Sequence, residues 1–384
     1  MKRKNNSVQI PIDIILEILS KSSAKPIARF GLASKFCASI LNRPDITELF
    51  LTRSSTRPRL LFAIEYFDKL CFYSSPQLQN PDENHSLIVA ADFHMQFLGY
   101  MSPNNVCAPV SRLLYFSSMK ISEDIDNVPV ICNPSTGQYV ILPQLRRKNY
   151  SRSLLGYDPI GKQYKILAIT KSRYGEEYIL TLGTGKMSWR EIKRPVNHYP
   201  NSQGICINGI LYYIAVGYKN VEKLVCFDVR SERFRFLEAD STTRIISTTT
   251  SSSSTKLINY KGKFCLICLA WLISFSYEAP YQRRINGILL DLWILEDVQK
   301  QEWLQREYRL PMNVDFADDI SVAGVTASGE IILSPKYTSN PFFVFYFNPE
   351  RNTLEKVGIQ GFEASESQSR VYTFVDYAED YKFT

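Results

Sequence analysis

Four times along this chain a strand-like run closes on Asn or Asp, turns through a short polar segment and resumes as a second strand-like run. The copies are Ile131–Val140, Tyr157–Tyr164, Phe227–Phe234 and Phe347–Leu354, pivoting on Asn133, Asp158, Asp228 and Asn348. Looser versions surround Gly183–Trp189 and Leu295–Trp303. A second signature is a glycine turn that opens an apolar strand, at Asn208-Gly209, Lys261-Gly262 and Ser328-Gly329. Twice the two signatures stand nineteen residues apart, Gly209 to Asp228 and Gly329 to Asn348. Repeated hairpins with irregular longer loops between them predict radially arranged four-stranded blades. At about 40 to 45 residues per blade, the roughly 310 residues involved make about six or seven blades. A two-sheet sandwich is the structural alternative.

The strand-like period starts at Arg59, where Arg59–Tyr66 and Leu70–Tyr73 flank Phe67-Asp68-Lys69 as a hairpin. Before it the period is helical. Pro11 suits the start of a helix, and Asp13 complements the positive end of its dipole. Ile12, Ile15, Leu16 and Leu19 form one apolar face, while Ile14 and Ile18 add a second. A short helix with two apolar faces needs two packing surfaces, one in its own domain and the other either against a partner protein or, if the helix is sandwiched, inside the same domain. Further short helices are expected from Lys25-Pro26 with Ile27, Phe30 and Ala33, from Lys35 to Leu41 with Ser34 as N-cap, and from Pro44-Asp45 with Ile46, Leu49 and Phe50. The expected class is therefore α+β multidomain, with a helical module over 1–55 and an all-β domain over 56–384.

Charge divides the chain in the same place. Residues 1–60 carry eleven Lys and Arg against four Asp and Glu, which accounts for the whole net charge of +7. The remainder is balanced, so an acidic partner is expected for the opening segment alone. Nucleic acid is not expected, because these cations are not interleaved with exposed aromatics and no docking motif accompanies them. No membrane span is expected: the longest apolar run, Phe264 to Phe275, is about half of the roughly twenty residues a span requires, and it reads as a buried strand.

Little in the chain points to catalysis. Its three histidines, His85, His94 and His198, are expected in separate loops, and no HExxH, GxSxG or GxGxxG motif occurs. Gly183-Thr184-Gly185-Lys186 lacks both the first glycine and the following Ser or Thr of a phosphate loop, and reads as a hairpin turn. Asp315, Asp318 and Asp319, and Glu363 with Glu366, read as solvated loop charges. The eight cysteines are scattered, and Cys265 and Cys268 fall on opposite faces of one strand. They read as reduced thiols in a cytoplasmic or nuclear setting, with no metal or cofactor site. Asp240 to Lys256, rich in Ser and Thr, is expected to be a mobile loop.

The segment Ile10–Ser20, followed by Ala24-Lys25, Ala28-Arg29-Phe30 and Ala33-Ser34-Lys35, resembles an F-box. The remainder of the chain is similar to the type 3, kelch-like associated domain of the large plant F-box family, in pieces that include Arg57–Phe62, Gly156–Pro159, Ser188-Trp189-Arg190, Cys226–Glu232, Trp293–Asp297 and Phe345–Pro349. The resemblance implies the substrate receptor of an SCF-type (cullin–RING) ubiquitin ligase, itself non-catalytic. Its F-box would dock on a small acidic adaptor and through it on a cullin scaffold, while the β domain captures a target protein. By the same resemblance the adaptor-facing residues are Ile10, Pro11, Ile14, Ile15, Ile18 and Leu19, with Ser34 and Lys35. Three positions depart from the family pattern: Ser22-Ser23 stands where Leu-Pro is usual, Gly31 where Arg is common, and Cys37 where Trp is usual. A stand-alone propeller binding glycan or protein is the alternative, and a hydrolase would need carboxylates or histidines converging on the propeller's central cavity.

Overall fold

The computed structural model describes residues 11–79, 87–98, 108–121, 127–145, 150–170, 176–183, 187–193, 196–217, 221–237, 255–275, 283–311, 319–363 and 367–383, together with Gly185 and the pair Ile245 and Ile246. Ile10, His85, Cys107, Thr184, Lys186, Asp315, Asp318, Glu366 and the tract 247–254 lie outside them.

Four helices open the described chain: α1 (Ile12–Lys21), α2 (Ala24–Ala33), α3 (Lys35–Leu41) and α4 (Pro44–Thr56). The expected signals sit at their ends. Pro11 takes the N-cap position of α1, one residue earlier than the pattern predicts, and Ser34 caps α3 by accepting from the Cys37 amide at 3.1 Å. Pro44 begins α4, where its missing N–H costs nothing.

Six sheets complete the fold, arranged as six blades of a β-propeller. Blades 2 to 6 take their strands in chain order, starting at Leu114, Tyr150, Tyr199, Thr255 and Ile320. Blade 1 is built from both ends of the domain. Its strands Arg59–Glu65, Lys69–Pro76 and Asp92–Leu98 are joined by Arg370–Tyr377, which pairs antiparallel with Arg59–Glu65. Ring closure thus comes from a chain-end strand completing the first sheet, which leaves no open seam. On the outside of blade 6 the strand Leu87–Ala90, which departs from blade 1, runs parallel to Thr353–Gln360 and covers that edge.

The blade count settles at six, and the core shows why a two-sheet sandwich does not form. Six separate hydrophobic clusters lie between successive blades, one for each neighbouring pair around the ring. Each blade is consequently buried on both faces. That is the origin of strands such as Leu60–Ile64 and Ile331–Pro335, which are buried at every position instead of alternating. The apolar run at Phe264 lies inside the strand Lys263–Phe275, buried from Phe264 to Ile267 and only partly so beyond, with Ala270 exposed.

Both turn signatures are real structural units. At Asn133, Asp158, Asp228, Asp297 and Asn348 the side-chain oxygen accepts from a backbone amide two or three residues on, at 2.7–3.0 Å. The residue four positions after each takes positive φ: Gly137, Lys162, Glu232, Gln301 and Asn352. The carboxylate or amide holds the turn so firmly that even Lys and Glu adopt the left-handed region. Asn208-Gly209 and Lys261-Gly262 are two-residue turns with both φ values positive, the geometry that matches strand twist.

Two expectations need correction. His94 is in a strand of blade 1 and not in a loop. The expected loop from Asp240 to Lys256 is not loop throughout, since Ile245 and Ile246 are buried against the core between blades 4 and 5, and Thr255 and Lys256 already belong to the innermost strand of blade 5.

Candidate docking site

The helices build a small core of their own. Leu19 of α1, Ala24 and Ile27 of α2, Ile40 and Leu41 of α3, and Ile46 and Phe50 of α4 meet there, with Ile15, Leu16 and Phe30 at its margin. Gly31 permits the close approach of α2 and α3, because a Cβ at that position would come 2.9 Å from Leu41 Cδ1. A cluster this small is below what an independent domain needs. It is completed from the far end of the chain.

After the closing strand ends at Tyr377, residues 378–383 leave the propeller and enter the helical module. The Tyr381 ring is 5% exposed inside the helical core, edge-on to Phe50 with centroids 5.1 Å apart. Its hydroxyl donates to the Leu41 carbonyl at 2.9 Å and lies 3.0 Å from Thr47 Oγ1. Glu379 accepts from the Ala24 amide at 3.3 Å, so a residue beyond the propeller caps α2, whose own N-cap Ser23 makes no side-chain cap. Burial pushes the Glu379 carboxyl up, while Arg59 and that amide pull it down. Ser54 Oγ donates to the Glu379 carbonyl at 2.8 Å, and Asn133 of blade 2 donates to the carbonyls of Asp380 and Lys382. From the other side Lys25 Nζ donates to the His94 carbonyl at 3.0 Å. The helices are thereby fastened to blades 1 and 2 in one orientation.

What the module leaves outside is as definite as what it buries. On α1 the two faces separate as the spacing predicts except at its start: Ile15, Leu16 and Leu19 turn inward and Ile14 is 50% and Ile18 56% exposed, but Ile12, expected on the face of Ile15 and Leu19, is 38% exposed. Of the residues expected to face an adaptor, Pro11, Ile14, Ile18, Ser34 and Lys35 are on the surface. Ile15 is half-buried and Leu19, at 7%, is a core residue whose side chain serves packing; Ile10 lies outside the described residues. Leu32 on α2, 87% exposed, and Phe36 on α3, 56% exposed, join the surface unforeseen. Phe36 is an apolar residue of the same short helix as Ile40 and Leu41, of which only the last turn reaches the core. Arg29 and Lys35 flank these two and make no ion pair among the described residues, whereas Lys21 pairs with Glu17 and Arg43 with Asp45. The exposed apolar side chains therefore sit in a locally positive setting.

The propeller's axial cavity, about 560 Å³, carries different chemistry. Its described lining includes Lys256, Lys336 and Arg370, with Arg112 and Asp376 in the cavity that continues it. His198 is elsewhere, buried with its Nε2 2.7 Å from the Tyr213 hydroxyl, and His94 bonds Ser74 Oγ at 2.7 Å. Buried thiols such as Cys132, Cys226 and Cys265 have their pKa raised by desolvation, which keeps them protonated and inert.

Residues 59–378 match the family described as F-box associated beta propeller domain, a range that opens on the first propeller strand and ends one residue past the last. A relative from Arabidopsis thaliana is 56% identical over the whole length of both chains. Two further proteins of that plant, F-box protein At3g57590 and F-box protein DOR, are 47% and 42% identical, over 97% and 99% of this chain and 90% and 95% of their own.

Proposed function

Because the chain belongs to the F-box proteins that carry an F-box-associated β-propeller domain, we propose that it is the substrate-recognition subunit of an SCF-type, cullin–RING ubiquitin ligase. In this reading the helices over 1–55 are the F-box and dock on a small acidic adaptor, which joins them to the cullin. The β domain captures a target protein. The single observation that carries the docking step is the division of α1: Ile14 and Ile18, one turn apart, stay in solvent although Ile15 and Leu19 on the adjoining face pack inside. An apolar pair of this kind, on a helical module that also exposes Arg29 and Lys35, suits a partner with an apolar groove and an acidic rim.

The chemistry of the ligase resides in its other subunits, and this chain contributes position. Holding a target near a bound ubiquitin donor raises the effective concentration of the target's lysines. Position requires stiffness between the two sites, and the 378–383 tail supports it by locking the helices onto blades 1 and 2. The test is co-purification of the full chain with a recombinant SCF adaptor, with and without Ile14→Asp plus Ile18→Asp. The double change is expected to abolish the complex while the chain still melts cooperatively. Equal recovery of the adaptor from both would sink the docking step and leave a stand-alone binding propeller.

A further inference from the structure

The innermost strands of the propeller all run in the same direction along the axis. The closing strand starts with Arg370 at the mouth of the 560 Å³ cavity and ends with Tyr377 beside the cavity that continues it, after which the tail reaches the helices. The mouth marked by Arg370 therefore faces away from the helical module. Three cations line this cavity. Lys336 is held next to Arg370 because the Val371 amide donates to the Lys336 carbonyl at 2.8 Å and Tyr337 bridges to Arg370. Lys256 comes from the next blade, its Nζ donating to the Ala323 carbonyl at 2.7 Å.

Among the described residues none of these three makes an ion pair, and no carboxylate lines this cavity. Acids on neighbouring segments are engaged: Glu65, opposite Arg370 in register, accepts from the Tyr372 hydroxyl at 3.5 Å, Asp319 accepts from the Tyr337 amide at 3.1 Å, and Glu222 accepts from the Asn201 side-chain amide at 2.9 Å. Burial lowers the Lys256 ammonium to about 8, which leaves it charged at neutral pH. Arg370 is further held over the Tyr372 ring, 5.1 Å from its centroid. Three cations in the lining of one cavity, with no described carboxylate beside them, give it a positive potential that favours an anion. Two hydroxyls of the lining are already committed, Ser334 to Thr373 at 2.8 Å and Ser321 to the Ser334 carbonyl. A carboxylate offers one negative charge; a phosphoryl group offers up to two, with three acceptor oxygens.

We propose that this axial mouth binds a phosphoryl group, borne either by a phosphorylated residue of a captured protein or by a small phosphate-containing molecule. The site lies at the end of the propeller away from the helices, so it does not depend on the docking reading.

The test uses the full chain. Inorganic phosphate is titrated at constant ionic strength against chloride, with calorimetry and the melting midpoint as readouts. Saturable binding is expected, weakened about tenfold by Lys336→Ala and again by Arg370→Gln. Both variants should keep the wild-type midpoint in chloride, and their recovery of the adaptor should be unchanged. A peptide library with one fixed phosphoserine, compared with the same library bearing serine, separates the two sources. Retention that depends on the phosphate and on Lys336 and Arg370 assigns the site to a phosphorylated protein, whereas phosphate binding without library retention assigns it to a small molecule. Absence of saturable phosphate binding, or binding that both substitutions leave intact, overturns the proposal.

Discussion

The Tyr381 hydroxyl donates to the Leu41 carbonyl at 2.9 Å across 340 residues of sequence. That bond ties the last turn of α3 to the tail of the propeller, in a core where Tyr381 fills the space between Phe50 and Leu41. The two folding units thus share a side chain, although each has its own period in the sequence.

Removal of that ring should therefore be felt in the helices first. Tyr381→Ala is expected to destabilise the module by about 3 to 4 kcal/mol through cavity formation, and Tyr381→Phe by about 1 kcal/mol through the lost hydroxyl. Hydrogen exchange checks it: amides of Ile12–Thr56 should lose protection while the inner strands of blades 3 to 5 keep theirs. Uniform loss over the whole chain would show that the helices are not a separate cooperative unit.

Exposure predicts a contrasting behaviour for Leu32 and Phe36. Each replaced by Ala should change stability by no more than about 0.5 kcal/mol, since neither side chain is in the core. If they contact the adaptor, the same changes should weaken binding by about 1 to 2 kcal/mol. Binding measured by calorimetry beside a urea melt separates the two effects. Wild-type affinity in both variants would confine docking to α1.

His94 makes the propeller's first blade sensitive to acid. Burial, assisted by the nearby Arg59, lowers its pKa from an ordinary 6.5 to about 4, so the folded state holds it neutral against Ser74. Between those values the unfolded chain binds more protons than the folded one. The contribution is therefore complete above pH 6.5 and is lost as the pH falls toward 4, to the extent of about 3 kcal/mol. Buried carboxyls such as Glu379 and Asp380, whose pKa values are raised, act in the opposite sense. Comparison with His94→Gln cancels them: the variant's stability should fall less between pH 7 and pH 4.5, and parallel curves would refute the assignment.

Blades 3 and 4 are joined by a buried charge. Glu232 receives Lys165 Nζ at 2.8 Å and Arg190 Nη2 at 2.6 Å, and Lys165 is 9% exposed. Burial pushes the Glu232 carboxyl up, but the two cations outweigh it and hold it below the usual range. Glu232→Gln strands the lysine and should cost about 3 kcal/mol. Adding Lys165→Met should recover part of that loss, because the orphaned charge goes with it. A double mutant no more stable than the single would mean the lysine is satisfied by the Arg230 carbonyl, 3.4 Å away.

Much of this protein was legible in one dimension because the forces involved are local. A strand ending on Asn or Asp makes the same side-chain-to-amide turn wherever it occurs, so hairpins at Asn133, Asp158, Asp228 and Asn348 announce blades without reference to neighbours. Helical spacing likewise separates Ile15 and Leu19 from Ile14 and Ile18, and Ser34 caps α3 from within its own turn. The choice of six blades, the inward turn of Leu19 and the outward turn of Phe36 depend on how elements pack, and packing depends on residues far apart in the chain. The cap that Glu379 supplies to α2, the seat of Tyr381 and the gathering of Lys256, Lys336 and Arg370 arise only when Arg370–Tyr377 pairs with Arg59–Glu65 and closes the ring. Sequence patterns encode interactions within a few residues, whereas ring closure brings together side chains separated by hundreds, and both candidate binding surfaces take their final form from that closure.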